Sequence, residues 1–590
     1  MCYLAAVPIR CARLSACPPW LLLLPACLVC AVCLACSDSE GRLELSVLSD
    51  GRATPARVEL LDASGRAWIA PNALKVVSEC MSAPPPRWLQ PGIESRSIHN
   101  IYTGTDQFYA AGHAALALPT GRYELRVFKG NEFRTERRTL EIEPGETLAT
   151  LVELERWIDP AASGWIGADD HIHITRGTAE QNPWIHAWMR AEGLAVANLL
   201  AMGTQDQLTV TPQYAYGDAG VYGEGETRLF AGQEHPRTHL LGHTITLGAR
   251  QAIDLRDTYI VFEEFWRESE RLGGVSGFAH YGQGPAQDGL AISAPGGRIH
   301  FIEVLQSEYP AYRVWYELLD MGFRIAPSAG TDWPCIPSLP GRERVYVDVE
   351  GPLTRDSFVR GLRAGRTFVT NGPVLELEAG GVGIGGELRL ARPSTVRVTG
   401  RVQFDPEREH VRELALVQGG KVVRVVDEPT APGTISLSAE IPIDHSTWLA
   451  LRADGDKLDE IPMVAEDIPA WVQSMIDRWG GGWSLQGRYE FLSGLQNRPS
   501  AAHTGAIFVD VAGGTLPTAP DTAREWITRL DTIEARLADE RIDEMAVASW
   551  IPYSDGVSVA HVRRHRPTLL EHIAQARAHY RALIDGASGP

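Results

Sequence analysis

The chain has 590 residues, 44% of them apolar, enough for three or four domains with sizeable cores. Its formal charge of −19, from 74 acidic against 55 basic residues, argues against nucleic-acid binding, which needs basic surface. Beyond the N-terminal stretch, no apolar run is long enough to span a bilayer.

The first 36 residues stand apart. They hold seven of the nine cysteines, leaving Cys80 and Cys335, so no disulfide framework is expected. Arg10 and Arg13 precede an apolar run from Trp20 to Ala35, the n-region and h-region of a signal peptide. The ending Leu34-Ala35-Cys36-Ser37 resembles a bacterial lipobox, with Cys33 at the place where Leu or Val is usual. The resemblance implies a lipidated Cys36 and an exported protein, periplasmic or at the outer membrane, held to the bilayer by acyl chains. Removing residues 1–35 takes away two arginines and no acids, which leaves a charge of −21.

Residues 41–155 alternate apolar and polar positions, as in Leu43-Glu44-Leu45-Ser46-Val47. Turns are marked by Asp50-Gly51, Pro119-Thr120-Gly121 and Glu143-Pro144-Gly145, a pattern that predicts a β-sandwich. The run Ala117 to Tyr123 resembles the carboxypeptidase-regulatory type of sandwich. Residues 156–375 alternate short apolar strands with helices. Helices are expected at 183–193, 255–272, 309–321 and 353–364, and strands at 194–200, 239–242, 277–280, 298–304, 323–327 and 344–349. Such βα alternation predicts a mostly parallel sheet or a barrel. Residues 376–515 return to β-alternation, read as a second sandwich with an insertion, and residues 516–590 form a helical tail.

The chemistry begins at Asp169-Asp170-His171-Ile172-His173. On a strand, residues two apart share a face, so His171 and His173 are placed to grip one cation from one side. Three further pieces follow, Gly232-Gln233-Glu234-His235 with Leu241-Gly242-His243, then Phe278-Ala279-His280, then Ala329-Gly330-Thr331-Asp332. Each follows or ends an expected strand beside small residues, the rim where barrels collect their sites. With these residues, and with Arg363-Ala364-Gly365-Arg366 to Asn371-Gly372-Pro373 behind them, the chain resembles the PHP superfamily of metal-dependent hydrolases. More narrowly it resembles the CehA/McbA type, over roughly residues 155–380.

The resemblance implies an α/β fold, a distorted (β/α)7 barrel here flanked by the two sandwiches. It implies a centre in which His171, His173 and Asp332 hold one metal, and Glu234 bridges to a second completed by His243 and His280. Glu234 and Asp332 then also serve catalysis. PHP proteins with three metals carry further ligands where this chain has Ile174-Thr175-Arg176, Leu200-Ala201-Met202 and Trp333-Pro334. All third-site donors are missing together, so one or two divalent ions are expected, with Zn, Mn and Fe all compatible with the donors. Around the site, Asp169 either orients a ligand imidazole or anchors a turn. Tyr281 and Trp333 either line a pocket or pack, and Glu303 faces the barrel mouth or solvent. His235 and His239 are read as non-ligands, and His503 as structural. His561 and His565, four apart on a helix, are read as a solvated face. The expected activity is hydrolysis of an ester, amide or carbamate in a small-molecule substrate. The alternatives are a PHP-type phosphoesterase, for which Arg176 and Arg237 are the only nearby basic residues, and a non-catalytic surface binding protein with a vestigial barrel.

Overall fold

The computed structural model describes residues 40–76, 95–203, 205, 211–223, 225–238, 240–280, 289–306, 309–335, 338–460, 499–514, 516–517, 519–538 and 557–586. The expected signal segment with Cys36, and the residues His239 and Tyr281, lie outside them. The described chain is a mixed α/β protein with several antiparallel sheets. None of its described helices is long and apolar enough to cross a membrane.

The N-terminal strands follow their alternation. Leu43, Leu45 and Val47 are buried on the strand Glu40–Ser49, which pairs with His113–Pro119 and Thr147–Glu153. A second sheet runs through Ala56–Asp62, flanked by Thr105–Ala110 and Gly121–Phe128. Leu43, Val58, Leu116 and Leu125, drawn from both sheets, share one core. Period-two burial on facing sheets is what a sandwich requires.

The central region is built on nine strands: β1 (Trp165–Ile172), β2 (Val196–Met202), β3 (Arg228–Thr238), β4 (Gly242–Leu247), β5 (Val275–Phe278), β6 (Phe301–Gln306), β7 (Ala326–Ala329), β8 (Arg344–Asp348) and β9 (Thr367–Thr370). Helices α1 (Asn182–Ala191), α2 (Phe262–Arg271), α3 (Tyr312–Asp320) and α4 (Arg355–Arg363) intervene. Each buries a stripe; α1 buries Ile185, Trp188 and Met189, at i, i+3 and i+4. Gly193 follows α1 with φ of 64°, and a Cβ there would sit 2.9 Å from the Lys129 carbonyl oxygen, so the turn needs glycine.

Three of the four helices run close to their expected spans, while α2 starts later, at Phe262. Ahead of it, Tyr259, Ile260 and Val261 are buried in the core. Helix α3 starts at Tyr312 because Tyr309-Pro310 pairs with the end of β6, and a residue before proline avoids helical backbone. The sheet is less parallel than expected. Strands β1 to β3, and β5 to β7, pair in parallel. Strand β4 runs antiparallel to both β3 and β5, and β8 runs antiparallel to both β1 and β9. The eleven-residue β3, which carries Glu234, was not anticipated. Its Gly232 and Pro236 read as breakers, and the β3–β4 hairpin takes the place of the short strand expected at 239–242.

The boundary expected at 375 is not a break in hydrogen bonding. Strand β9 pairs with Pro499–Thr504, Val369 opposite His503, and the same sheet continues into Thr447–Lys457 and Glu409–Gln418. A separate sheet formed by Val374–Ala379, Ser394–Gln403 and Thr434–Ile443 covers it, with Leu377, Val398, Leu437 and Leu451 in the shared core. His503 is fully buried, receives the Tyr316 hydroxyl at 2.6 Å, and belongs to none of the metal-ligating groups among the described residues.

The tail helices, Ala519–Ala538 and Val559–Ile584, join the central core rather than forming a unit of their own. Trp526 is fully buried and donates to Glu317 of α3 at 3.0 Å, and the Tyr580 hydroxyl donates to the Ala291 carbonyl at 2.9 Å. His561 is 2% exposed, accepting from the Ile260 amide, so the reading of this helix face as solvated is corrected. Truncating Trp526 to alanine is expected to cost about 3–5 kcal/mol and to leave metal content per folded chain unchanged, checked by chemical denaturation alongside elemental analysis.

Candidate metal centre

Six side chains from five places in the sequence meet at one rim of the sheet. His171 and His173 lie at the end of β1 and Asp332 just past β7, while Glu234 sits late in β3. His280 follows β5 by two residues, and His243 is the second residue of β4. Because β4 runs antiparallel to β3 and β5, its beginning lies beside their ends. A register shift between Glu234 and Arg237 breaks the β3–β4 ladder at that point; bulges of this kind re-aim side chains next to sites.

The geometry divides around the Glu234 carboxylate, which is 1% exposed. Its Oε2 lies 3.1 Å from His173 Nε2 and 3.6 Å from His171 Nε2. Asp332 Oδ1 closes that group at 3.2 Å from His173 Nε2 and 3.5 Å from His171 Nε2. The other oxygen, Oε1, lies 3.0 Å from His243 Nδ1 and 3.5 Å from His280 Nε2. Two compact donor groups therefore share one carboxylate: His171, His173 and Glu234 in one, Glu234, His243 and His280 in the other.

These residues fit a divalent cation. The Nε2 atoms of His171 and His173 face each other at 3.0 Å, and Glu234 Oε2 is buried without a hydrogen bond. Imidazole nitrogens and carboxylate oxygens crowded together in this way suit a cation. Burial pulls the His171 imidazole pKa down, but Glu303, Asp332 and Glu234 together hold it well above its usual value. Burial pushes Glu234 up, and Arg237, His171 and His243 reverse this to leave it well below the carboxylate range. The site thus keeps its carboxylates ionised.

The surrounding residues resolve the open readings. Glu303, 1% exposed, accepts from His171 Nδ1 at 3.1 Å and from the His280 amide at 2.6 Å. It is a positioning residue, fixing the His171 tautomer with Nε2 turned to the centre. The His173 Nδ1 lies 3.3 Å from the Leu200 carbonyl, which does the same for that ring. Asp169 anchors a turn instead of orienting an imidazole. Its carboxylate accepts from the His171 and Thr331 amides, the Thr331 hydroxyl and the Gly341 amide at 2.6–3.1 Å. Trp333 packs edge-on against Trp188, 2% exposed, within an apolar cluster with Ile172 and Met189. It contributes its carbonyl to the His173 amide at 2.8 Å and is a packing residue. His235 is buried, with Nδ1 3.5 Å from the Tyr259 hydroxyl, and is a member of neither donor group.

Several contributors were not anticipated. Asp170, on the opposite face of β1, accepts from Ser328 and Asn198 and so ties β1 to β7 and β2; burial pushes it up to about 8. Arg237 lies with Nε 3.3 Å from Glu234 Oε2. Cys335 sits beside His173 and Asp332, but it is disulfide-bonded and offers no thiolate. Gly330 is required by close approach, since a Cβ there would fall 2.4 Å from His171 Cβ. Leu200, Ala201 and Met202, at the end of β2, are buried apolar residues.

The centre is closed on one side and open on the other. The His171 and His173 side chains are 0% exposed, whereas those of Asp332, His243 and His280 are 14%, 16% and 17% exposed. No protein-family model matches the chain, and no curated protein matches it. Glu303→Ala is expected to weaken metal binding by about 10–100-fold while leaving the fold intact, read by competition with a chromogenic chelator. Gly330→Ala should lower metal occupancy without removing any ligand, since the new methyl displaces His171, and occupancy is read by elemental analysis.

Proposed function

We propose that this chain is a metal-dependent hydrolase of the PHP superfamily, of the CehA/McbA type, acting on an ester, amide or carbamate. The observation that carries the reading is the division of the Glu234 carboxylate between two imidazole groups, Oε2 toward His171 and His173 and Oε1 toward His243 and His280. A carboxylate shared in this way suits two divalent ions. The barrel reading draws support from an isolated parallel bridge between Trp333, just beyond β7, and Ile172 of β1. Export and anchoring through Cys36 are part of the same proposal and rest on the signal-like N-terminus.

When bound, such ions would supply a nucleophilic water ionised near neutral pH and a Lewis acid for the scissile carbonyl. The chain's own residues do the rest. Glu303 and the Leu200 carbonyl keep Nε2 of both β1 histidines pointing inward. Buried His171, His173 and Glu234 exclude solvent from the back of the site, which strengthens the electrostatics inside it. Asp332, with φ of 56°, and His280, with φ of 31°, hold left-handed backbone that non-glycine residues adopt at a cost of ~1–2 kcal/mol. Both are ligand candidates, so the strain serves placement of these side chains on the open side.

A phosphoester is the second reading. On its side is Arg176, a buried cation three residues beyond His173. Against it, Arg237 lies against Glu234 and is not presented to a phosphate.

Purified protein should carry divalent metal and hydrolyse members of a panel of aryl esters, carbamates and phosphoesters. The His171→Ala/His173→Ala variant should lose most of that metal, and about 10³-fold or more in kcat/KM. Full metal content and full activity in that variant would remove the basis of the proposal.

A further inference from the structure

We propose that Arg176 anchors an oxyanion-binding site, apart from the metal-ligating residues, that takes a carboxylate or phosphate group. Arg176 is 0% exposed, and its Nε, Nη1 and Nη2 all lack a hydrogen-bond partner. Its guanidinium stacks on the Tyr214 ring, 5.0 Å from the centroid. Among the described residues, the ionisable groups facing it are the Tyr214 and Tyr216 hydroxyls, with no carboxylate. Burial lowers its pKa to about 10, so the group stays cationic at neutral pH.

The other deeply buried arginines show how unusual this is among the described residues. Arg344, equally buried, donates to the carbonyls of Gly341, Gly193 and Glu192. Arg57 pairs with Glu192 and Gln107, Arg237 with Glu234, Arg342 with Glu460, and Arg355 with Asp218 and the Gly248 carbonyl. A guanidinium taken out of water without an anion is strongly disfavoured. The planar fork of arginine matches carboxylate and phosphate oxygens.

A second observation concerns acceptors. Gln213 forms a backbone bridge with Arg176, and Asn182 donates to the Tyr214 hydroxyl at 3.0 Å. Gln213 Oε1 and Asn182 Oδ1 are both buried without a donor. Unused donors on Arg176 and unused acceptors on residues bonded to its neighbours fit an oxyanion that also carries a proton to give, such as hydrogen phosphate or a hydroxy acid. The site is coupled to the metal centre through the backbone. Thr211 Oγ1 donates to the Leu200 carbonyl at 2.8 Å, the same carbonyl that faces His173 Nδ1.

The test is thermal unfolding of the full chain with inorganic phosphate or with lactate at millimolar concentration. The net charge of −19 makes general anion affinity a poor alternative explanation. At least one of the two anions should raise the wild-type Tm by a few degrees, and which one does so separates the phosphate source from the carboxylate source. Arg176→Met should lose that rise, keep its metal content and melt no lower than wild type without anion, because an unpaired buried charge has been removed. Arg176→Lys should bind the anion about tenfold or more weakly, which keeps the test decisive if the methionine variant fails to fold. His171→Ala should retain the rise, so the outcome is independent of the hydrolase reading. No rise in wild type with either anion, or an equal rise in the Arg176 variants, would overturn the proposal.

Discussion

The arrangement of this protein turns on one buried carboxylate. Glu234 is almost inaccessible to water; four imidazoles converge on its two oxygens, and Asp332 closes on the His171 and His173 side. Without cations between them, such a cluster leaves converging lone pairs and an unsatisfied carboxylate oxygen inside the fold. Interiors do not tolerate this cheaply, so the fold around the site can be understood as what holds the cluster together. Glu303 and the Leu200 carbonyl fix two rings, Asp169 ties the β1 end to the 331–341 loop, and Asp170 ties β1 to its neighbours.

Sheet topology explains why residues so distant in sequence share this place. Parallel strands β1, β2 and β3 present their C-terminal ends at one rim, as do β5, β6 and β7. The antiparallel β4 between the two sets brings its N-terminal end there instead, and with it His243. The flanking elements then stiffen the scaffold. The sheet continues from β9 into the C-terminal strands, and the tail helices close over α3 through Trp526 and Arg529 on Glu317.

Much of this was legible in the sequence, for physical reasons. Period-two alternation around Leu43 to Val47 has a single explanation, a half-buried strand. The pair His171 and His173 needs only strand geometry to share a face. Less legible was anything that depends on tertiary neighbours. Strand β3 was hidden by Gly232 and Pro236, residues that a bulge accommodates. The 375 boundary rests on the return of β-alternation, whereas hydrogen bonds between β9 and Pro499–Thr504 cross it. Glu303 reads only as an alternating strand acid, and its role follows from meeting His171 across 132 positions. Arg176 could be named from sequence, but its lack of partners could not, because burial and pairing are properties of the folded chain.

The central claim is most directly tested by anomalous diffraction from crystals of the metal-loaded protein. The account predicts two peaks about 3.5–4 Å apart, one beside His171, His173 and Asp332 and one beside His243 and His280, with the Glu234 carboxylate between them. A metal-loaded crystal with no peak at Glu234, or with its ions bound elsewhere, would contradict it.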